Sequence, residues 1–214
     1  MAVELYDEHE QGERVRGWIK EYSPAIIIGL ILAFGGIFGF RYWQDHRANQ
    51  QFLAADYYRA VTQRLAGQDA ETAATEYQAM VDAVGQTAYT GLAGMQLAAG
   101  WVEAGRLAPA EQIYRDILDN GRLESLWPVA RLRLVRVLEA QGEYEEALSM
   151  LDEQAPTGYE AAWAEARGDA LFERGRFDEA RSAWQEALDR RLANGENPRL
   201  LQVKLDAASS GDPS

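Results

Sequence analysis

Acidic side chains form the densest groups of potentially reactive residues in this sequence. Glu143, Glu145 and Glu146 make one group, and Asp178 and Glu179 make another. Paired carboxylates could act as a general acid and a general base if the fold brought them into one cleft. Each group, however, closely follows a glycine at the start of a predicted helix, where acids complement the helix dipole. We therefore interpret both groups as structural and expect no catalytic residues.

Other reactive side chains are scarce. The chain has no cysteine, which excludes disulfides, thiolate metal sites and cysteine nucleophiles. Its two histidines are His9 and His46, and no phosphate loop, calcium loop or zinc-protease motif occurs. We expect no metal, no cofactor, no small-molecule substrate and no enzymatic activity. The formal net charge of −13 disfavours nucleic acid as a partner, because nucleic acid is also strongly negative.

A long apolar segment near the N-terminus predicts a membrane span. Residues 22–40 carry no charge, and ten of these 19 residues are Ile, Leu or Phe. As a helix they extend roughly 28 Å, close to the ~30 Å hydrocarbon core, and those ten side chains favour insertion by roughly 3 to 6 kcal/mol. Ser23 and Pro24 are typical of a helix start. We place a short N-terminal segment at residues 1–21 and the transmembrane helix at residues 22–43.

Aromatic and basic residues flank the predicted span, as is typical of the two membrane interfaces. Three basic residues closely precede the span and two follow it. This small excess favours a cytoplasmic N-terminus and an exported C-terminal domain. The residues that we assign to the membrane interfaces are Trp18, Tyr22, Arg41, Tyr42 and Trp43.

Two other interpretations of the apolar segment compete with an uncleaved anchor. One is a buried core helix, although such helices are rarely this long without a polar face. The other is a cleaved signal peptide, although bulky Tyr42 and Trp43 follow the run where small residues are expected. Gly35 and Gly39 form a small-xxx-small pair that could pack against another membrane helix. We favour the anchor.

The rest of the chain follows a helical repeat. Three segments share a glycine, an alanine five residues later and a large residue four residues after the alanine. The glycines are separated by 37 and then 33 residues, which is close to the 34-residue period of tetratricopeptide repeats. We predict that the glycine ends one helix, the alanine lets two helices approach, and the large residue packs between repeats. These positions are Gly105, Ala110 and Tyr114; Gly142, Ala147 and Leu151; and Gly175, Ala180 and Trp184.

These patterns predict an all-α fold with one N-terminal transmembrane helix followed by a tetratricopeptide-like helical repeat solenoid at residues 44–208. We expect the first helix to continue from the span to Ala66 and a second helix to extend from Asp69 to Val84. A last helix, from Pro198 to Ala208, is predicted to cap the stack, and residues 209–214 are predicted to form a disordered tail. The alternative is a generic helical bundle with coincidental spacing.

The first helices of such repeats line a concave surface, which is our candidate partner groove. We located it by counting back thirteen, ten, six and three residues from each turn glycine. Our hypothesis is that it holds an apolar or amphipathic polypeptide segment. The alternative is that the C-terminal helix or the first hairpin fills it. The candidate groove residues are Leu92, Met95, Val102, Val129, Leu132, Arg136 and Phe172.

Several short motifs resemble those of the YfgM-like proteins. They are Gly-Phe-Arg-Tyr-Trp at residues 39–43, Arg-Leu-Arg-Leu at residues 131–134, and the segments at residues 167–171 and 180–184. The resemblance covers nearly the whole chain. It implies a bacterial inner-membrane protein with a short cytoplasmic N-terminus and a periplasmic repeat domain.

The same resemblance implies partners and a function. It implies association with Sec translocon subunits and with a membrane-anchored periplasmic chaperone, as a scaffold or adaptor that links exported proteins to periplasmic folding factors. It supplies no catalytic residues. The architecture is also compatible with an anchored repeat scaffold for another cell-envelope complex, or with a regulator that sequesters a cytoplasmic factor through residues 1–21.

Overall fold

The computed structural model describes residues 4–210, and every regular element in this range is helical. The predicted all-α fold is therefore confirmed. The described residues divide into an N-terminal unit that ends at Phe52 and a C-terminal unit that begins at Leu53. The helices are α1 (Glu4–Ala66), α2 (Ala70–Val84), α3 (Ala88–Glu103), α4 (Leu107–Leu118), α5 (Trp127–Gln141), α6 (Tyr144–Ser149), α7 (Glu160–Glu173), α8 (Phe177–Ala193) and α9 (Arg199–Ser210), with a 3₁₀ turn (Gly121–Leu126) before α5.

Helix α1 is the one helix in the described part of the chain that is long and apolar enough to cross a membrane. From Ile27 to Trp43 all its side chains are exposed, which argues against the alternative of a core helix. The helix continues through Pro24, so the predicted helix start at that proline is wrong. A proline removes one hydrogen bond from a helix interior, but helical turns on both sides carry the helix past it.

In the C-terminal unit, the end of α1 and α2 supply the first buried side chains. Ala54 and Val61 of α1 lie in the same core as Ala73 and Met80 of α2. Their spacing along each helix is seven residues, which places them on one helical face. The predicted second helix is confirmed, because α2 ends at Val84.

The three predicted turns between paired helices are confirmed. Gly105, Gly142 and Gly175 have φ angles of 73°, 80° and 78°, in the left-handed region that glycine enters at little cost. In each turn the glycine N–H donates to the carbonyl three residues earlier, and the next N–H donates to the carbonyl five residues before itself. These two bonds satisfy the last carbonyls of the first helix, as in a Schellman motif. Three turns with one bonding pattern are the structural basis of the repeat.

The repeat positions that pack the helix pairs are also confirmed. The pairs are α3 with α4, α5 with α6, and α7 with α8. The alanine of each pair is completely buried, and the large residue that follows it is almost completely buried. Burial of these side chains supplies the apolar contact that a single helix pair cannot make alone. The alanines are Ala110, Ala147 and Ala180, and the large residues are Tyr114, Leu151 and Trp184.

Arginine side chains connect successive repeats on their polar side. Arg115 of α4 pairs with Glu111 on its own helix at 2.7 Å and with Glu146 of α6 at 2.6 Å. Arg174, at the end of α7, pairs with Glu145 of α6 at 2.6 Å. These pairs are partly solvated, so each contributes little to stability.

Helix α9 packs on α8 at the end of the stack, as the predicted cap does. Leu201 and Ala208 of α9 are buried in a small core that includes Trp184. The helix ends at Ser210, two residues beyond the predicted end, so residues 209 and 210 are helical and do not belong to a tail. The rest of the predicted tail, residues 211–214, lies outside the described residues.

Candidate partner-binding site

The candidate groove is one face of α3, α5 and α7, the first helices of the three confirmed repeats. Its exposure is uneven along this series. The section on α3 is open and apolar, the section on α5 is half-buried, and the section on α7 is charged and covered by a side chain of α9.

The α3 section presents two apolar side chains to solvent. Leu92 is 43% exposed and Val102 is 38% exposed. Met95 was predicted to lie beside them, but it is only 5% exposed and belongs to the core. Helix α3 packs against α2, α4 and the 3₁₀ turn, and Arg133 of α5 donates a hydrogen bond to the Met95 carbonyl at 3.2 Å. Met95 is therefore a packing residue in this structure and does not line an open groove.

The α5 section offers the edges of two apolar side chains and one cation. Val129 and Leu132 are partly buried and pack against the core. Arg136 is exposed. A partner could contact this section mainly through the guanidinium group and the outer edge of Leu132.

The α7 section is occupied by a lysine from the C-terminal helix. Nζ of Lys204 lies 2.7 and 2.8 Å from the two carboxylate oxygens of Asp169 and 3.0 Å from Oε1 of Glu165. The other oxygen of Glu165 accepts a hydrogen bond from Arg191 of α8 at 2.8 Å. At α7 the structure thus matches the alternative that the C-terminal helix covers this surface.

Phe172 completes the α7 section but is packed against α8. Its ring centroid lies 5.2 Å from that of Phe177 and 5.3 Å from that of Trp184. Such distances are typical of aromatic pairs in a core. Phe172 is half-buried as a result, so it does not line an open groove as the sequence predicted.

One carboxyl group in the middle of the surface is poorly compensated. Burial raises the pKa of Glu139 to about 7, and the negative charge of Asp169 adds to the rise, while Arg136 and Lys204 oppose it. Its oxygen Oε1 is buried and has no hydrogen-bond partner within the described part of the chain. A buried carboxylate without partners is costly to ionise, so the neutral acid is favoured.

A neighbouring carboxyl group behaves in the opposite way. Burial alone would raise the pKa of Glu165, but the hydrogen bonds and positive charges of Lys204 and Arg191 outweigh burial and lower it. The two acids differ because cations reach Glu165 and do not hydrogen-bond to Glu139. Compensation of the carboxylates on α7 therefore depends on Lys204 and Arg191.

The predicted membrane-interface residues all lie exposed on α1. The rings of Trp18 and Tyr22 are neighbours, with centroids 5.5 Å apart. The guanidinium carbon of Arg47 lies 4.0 Å from the ring centroid of Trp43, a cation–π arrangement. Amphipathic rings and arginines of this kind suit the boundary between lipid and water.

No group of three His, Cys, Asp or Glu side chains within residues 4–210 is placed to hold a metal ion. The described arrangement consists of apolar edges, an exposed arginine and carboxylates near a lysine.

Sequence reasoning missed the most important polar contact of this surface. Lys204 is one of only two lysines in the chain, the other being Lys20. It lies on α9 three residues after Leu201 and four before Ala208, on the face that packs on the stack. A lone lysine between apolar residues at helical spacing is the signal that could have identified it.

Comparison with known proteins places the chain in a family. Residues 16–210 match the tetratricopeptide repeat-like domain model. The chain is 33% identical to the ancillary SecYEG translocon subunit of Escherichia coli over 97% of its own length and 100% of that protein. It is 29% identical to the protein of the same name from Haemophilus influenzae, over 87% of this chain and 91% of that one. A third protein of this name, from Neisseria gonorrhoeae, is 24% identical over 97% and 99% of the two chains.

These matches include α1 as well as the repeats, and they agree with the YfgM-like motifs and with the helix pairs described above. The chain therefore belongs to the YfgM-like family of ancillary SecYEG translocon subunits, which carry a tetratricopeptide repeat-like domain.

Proposed function

We propose that this protein is a non-catalytic scaffold or adaptor of the Sec translocon, held in the bacterial inner membrane by α1. The observation that carries the proposal is the similarity to an ancillary SecYEG translocon subunit over the whole of that protein. The architecture supports it, because an apolar helix and a stack of helix pairs are suited to binding other proteins.

The finer role that we propose is to link exported proteins to a membrane-anchored periplasmic chaperone. This role requires residues 1–21 in the cytoplasm, the span at residues 22–43 and the repeat domain at residues 44–208 in the periplasm. Support for a binding surface comes from the exposed apolar residues Leu92 and Val102 of the repeat domain. Solvent-exposed apolar side chains on a concave surface are typical of sites for polypeptide partners.

The first prediction concerns the partners. Purification of the tagged full chain from its own membranes in a mild detergent is expected to bring down translocon subunits together with a membrane-anchored periplasmic chaperone. Mass spectrometry of the eluate checks this result. If translocon subunits are absent at every detergent concentration that keeps the chain folded, the proposed function is wrong.

Two matched variants show whether the concave surface contributes to this binding. Leu92→Asp and Val203→Asp each place a carboxylate at an exposed apolar position, on α3 and α9 respectively. We expect Leu92→Asp to reduce chaperone recovery at least fivefold, because a charge there must be desolvated in the complex. Val203→Asp is expected to leave recovery unchanged. Equal recovery with both variants would remove the α3 surface from the proposal.

The second prediction concerns topology. The chain has no cysteine, so a single introduced cysteine reports its own accessibility. In spheroplasts, a membrane-impermeant maleimide is expected to label Ser125→Cys and to label Gly12→Cys only after the membrane is permeabilised. Both variants are expected to remain in the membrane pellet after alkaline extraction. The reverse labelling pattern would contradict the proposed orientation, and release into the supernatant would contradict the anchor.

A further inference from the structure

We infer that the α7 end of the concave surface binds an amphipathic helix that carries a lysine or arginine, and that α9 is an intrachain occupant which this partner helix displaces. The inference rests on the proposed function in one respect, namely that the concave surface is where partners bind. It adds the chemistry of the partner and a competitor within the chain.

The α7 end of the concave surface carries acidic side chains. Glu165 and Asp169 of α7 face a single ammonium group, that of Lys204, and Glu139 of α5 lies close enough for the charges of Asp169 and Lys204 to affect its protonation. Arg191 reaches Glu165 from α8. If Lys204 left, Glu165 and Asp169 would keep Arg191 as their cation, so a helix that replaces α9 must bring a positive charge.

Helix α9 supplies a positive charge through Lys204, which lies between apolar residues. Leu201 and Ala208 are buried on either side of Lys204, at i−3 and i+4, and Leu205 is partly buried beside them. Apolar residues at this spacing lie on one face of a helix, with the lysine between them. The partner helix is therefore expected to carry one basic residue with apolar residues three before and four after it.

Helix α9 can be released from the helix stack. It spans Arg199–Ser210, which is too short to be stable as a helix without tertiary contacts. Leu200 and Val203 on its outer side are more than 60% exposed. A short helix docked through one apolar face is exchanged for another with the same pattern more readily than a helix buried on all sides.

The scarcity of lysine provides a direct readout of α9 docking. Amine-reactive esters modify Lys204 and Lys20 of the full chain, and the two sites are resolved by mass spectrometry. The probe is an N-acetylated synthetic peptide with the sequence of residues 199–210 and arginine in place of the lysine, which has no amine. Its matched control carries glutamine at that position. Both are added to the full chain in detergent at up to about 1 mM, where even weak association is measurable.

We expect the arginine peptide to increase the modification rate of Lys204 at least fivefold and to leave that of Lys20 unchanged, because it displaces α9 and frees the amine. The glutamine peptide is expected to have no effect. If the arginine peptide leaves the rate at Lys204 unchanged, or if both peptides raise it equally, the inference is wrong.

A second measurement uses variants of the chain. Lys204→Glu adds a carboxylate to the cluster and is expected to release α9, so that the fluorescent arginine peptide binds this variant at least tenfold more tightly than the unmodified chain. Arg199→Glu makes the same charge change at an exposed position of α9 and is expected to leave affinity unchanged. Equal affinity for Lys204→Glu and the unmodified chain would overturn the inference.

Successful competition without recovery of translocon subunits would instead contradict the proposed function alone.

Discussion

Replacing Gly168 with alanine is expected to destabilise the repeat domain by about 2 kcal/mol, although alanine normally strengthens a helix. A Cβ atom at this position would lie 2.3 Å from Cδ1 and 2.5 Å from Nε1 of Trp184. The indole ring is almost completely buried, and its N–H donates to Asp169 at 2.8 Å, so it cannot move away without losing that bond. Overpacking costs about 1–3 kcal/mol, which outweighs the gain of up to about 1 kcal/mol from helix propensity.

Urea unfolding of the full chain, followed by circular dichroism, measures this change. The matched control is the same substitution in a Trp184→Leu background, where the smaller side chain leaves room for the methyl group. There alanine is expected to be neutral or slightly stabilising, so the double-mutant cycle gives a coupling of about 2–3 kcal/mol. Equal effects of alanine in both backgrounds would show that the indole ring does not determine the requirement for glycine.

Replacing Glu139 with glutamine is expected to stabilise the protein at pH 8 and to leave its stability unchanged at pH 4. The pKa of Glu139 is raised from 4.5 to about 7 in the folded protein. The protonated acid therefore supports folding fully below pH 4.5, and this contribution is lost as the pH rises through 7. A shift of this size corresponds to about 3 kcal/mol, and solvent screening of this partly exposed group reduces it to about 1–2 kcal/mol.

The measurement is the melting temperature of the full chain and of Glu139→Gln between pH 4 and pH 8. The difference between the two is expected to grow with pH. Glu124→Gln makes the same change at an exposed position in the 3₁₀ turn and is expected to follow the unmodified chain at every pH. A constant difference across the range would mean that Glu139 is ionised throughout and that burial does not hold its proton.

The helix pairs could be predicted from the sequence because their determinants are local and periodic. A glycine that must adopt a left-handed conformation, followed at fixed distances by a small and a large residue, is visible without coordinates. For the same reason the second helix was placed correctly, since Asp69 precedes it and accepts a hydrogen bond from the Thr72 N–H at 3.0 Å. These features depend on residues only a few positions apart.

The features that the sequence did not reveal depend on contacts between distant segments. Met95 is buried in the core, and Arg133, 38 residues later, donates a hydrogen bond to its carbonyl group. The interaction of Lys204 with Asp169 joins residues 35 positions apart. Counting residues back from the turn glycines identifies the side chains that share one face of a helix. It does not identify the segments that pack on that face. Among the apolar residues of the predicted groove, Leu92 and Val102 of α3 are therefore the exposed ones.

The start of α1 was misplaced for a different reason. A proline after a serine is a good helix start in general. Apolar residues from Val15 to Tyr22 lie at helical spacing before it, but this spacing fits a separate helix on the membrane surface and an extension of the span equally well. The structure shows them as helical from Glu4 onward. Helix length was therefore harder to predict than helix position.

Two buried positions of each repeat vary in size in opposite directions. Where the large residue nine positions after the turn glycine is leucine, tyrosine or tryptophan, the residue on the first helix, seven positions before that glycine, is valine, alanine or glycine in that order. The summed side-chain volume at the two positions is thus nearly constant, while the share that each position contributes changes. A repeat of this protein can therefore replace another only as an intact helix pair. A chimaera that joins the first helix of one repeat to the second helix of another would be overpacked or would contain a cavity. All six residues are buried, and contact is closest for Gly168 and Trp184, where the glycine leaves room for the indole ring; the other two sets are Val135 and Leu151, and Ala98 and Tyr114.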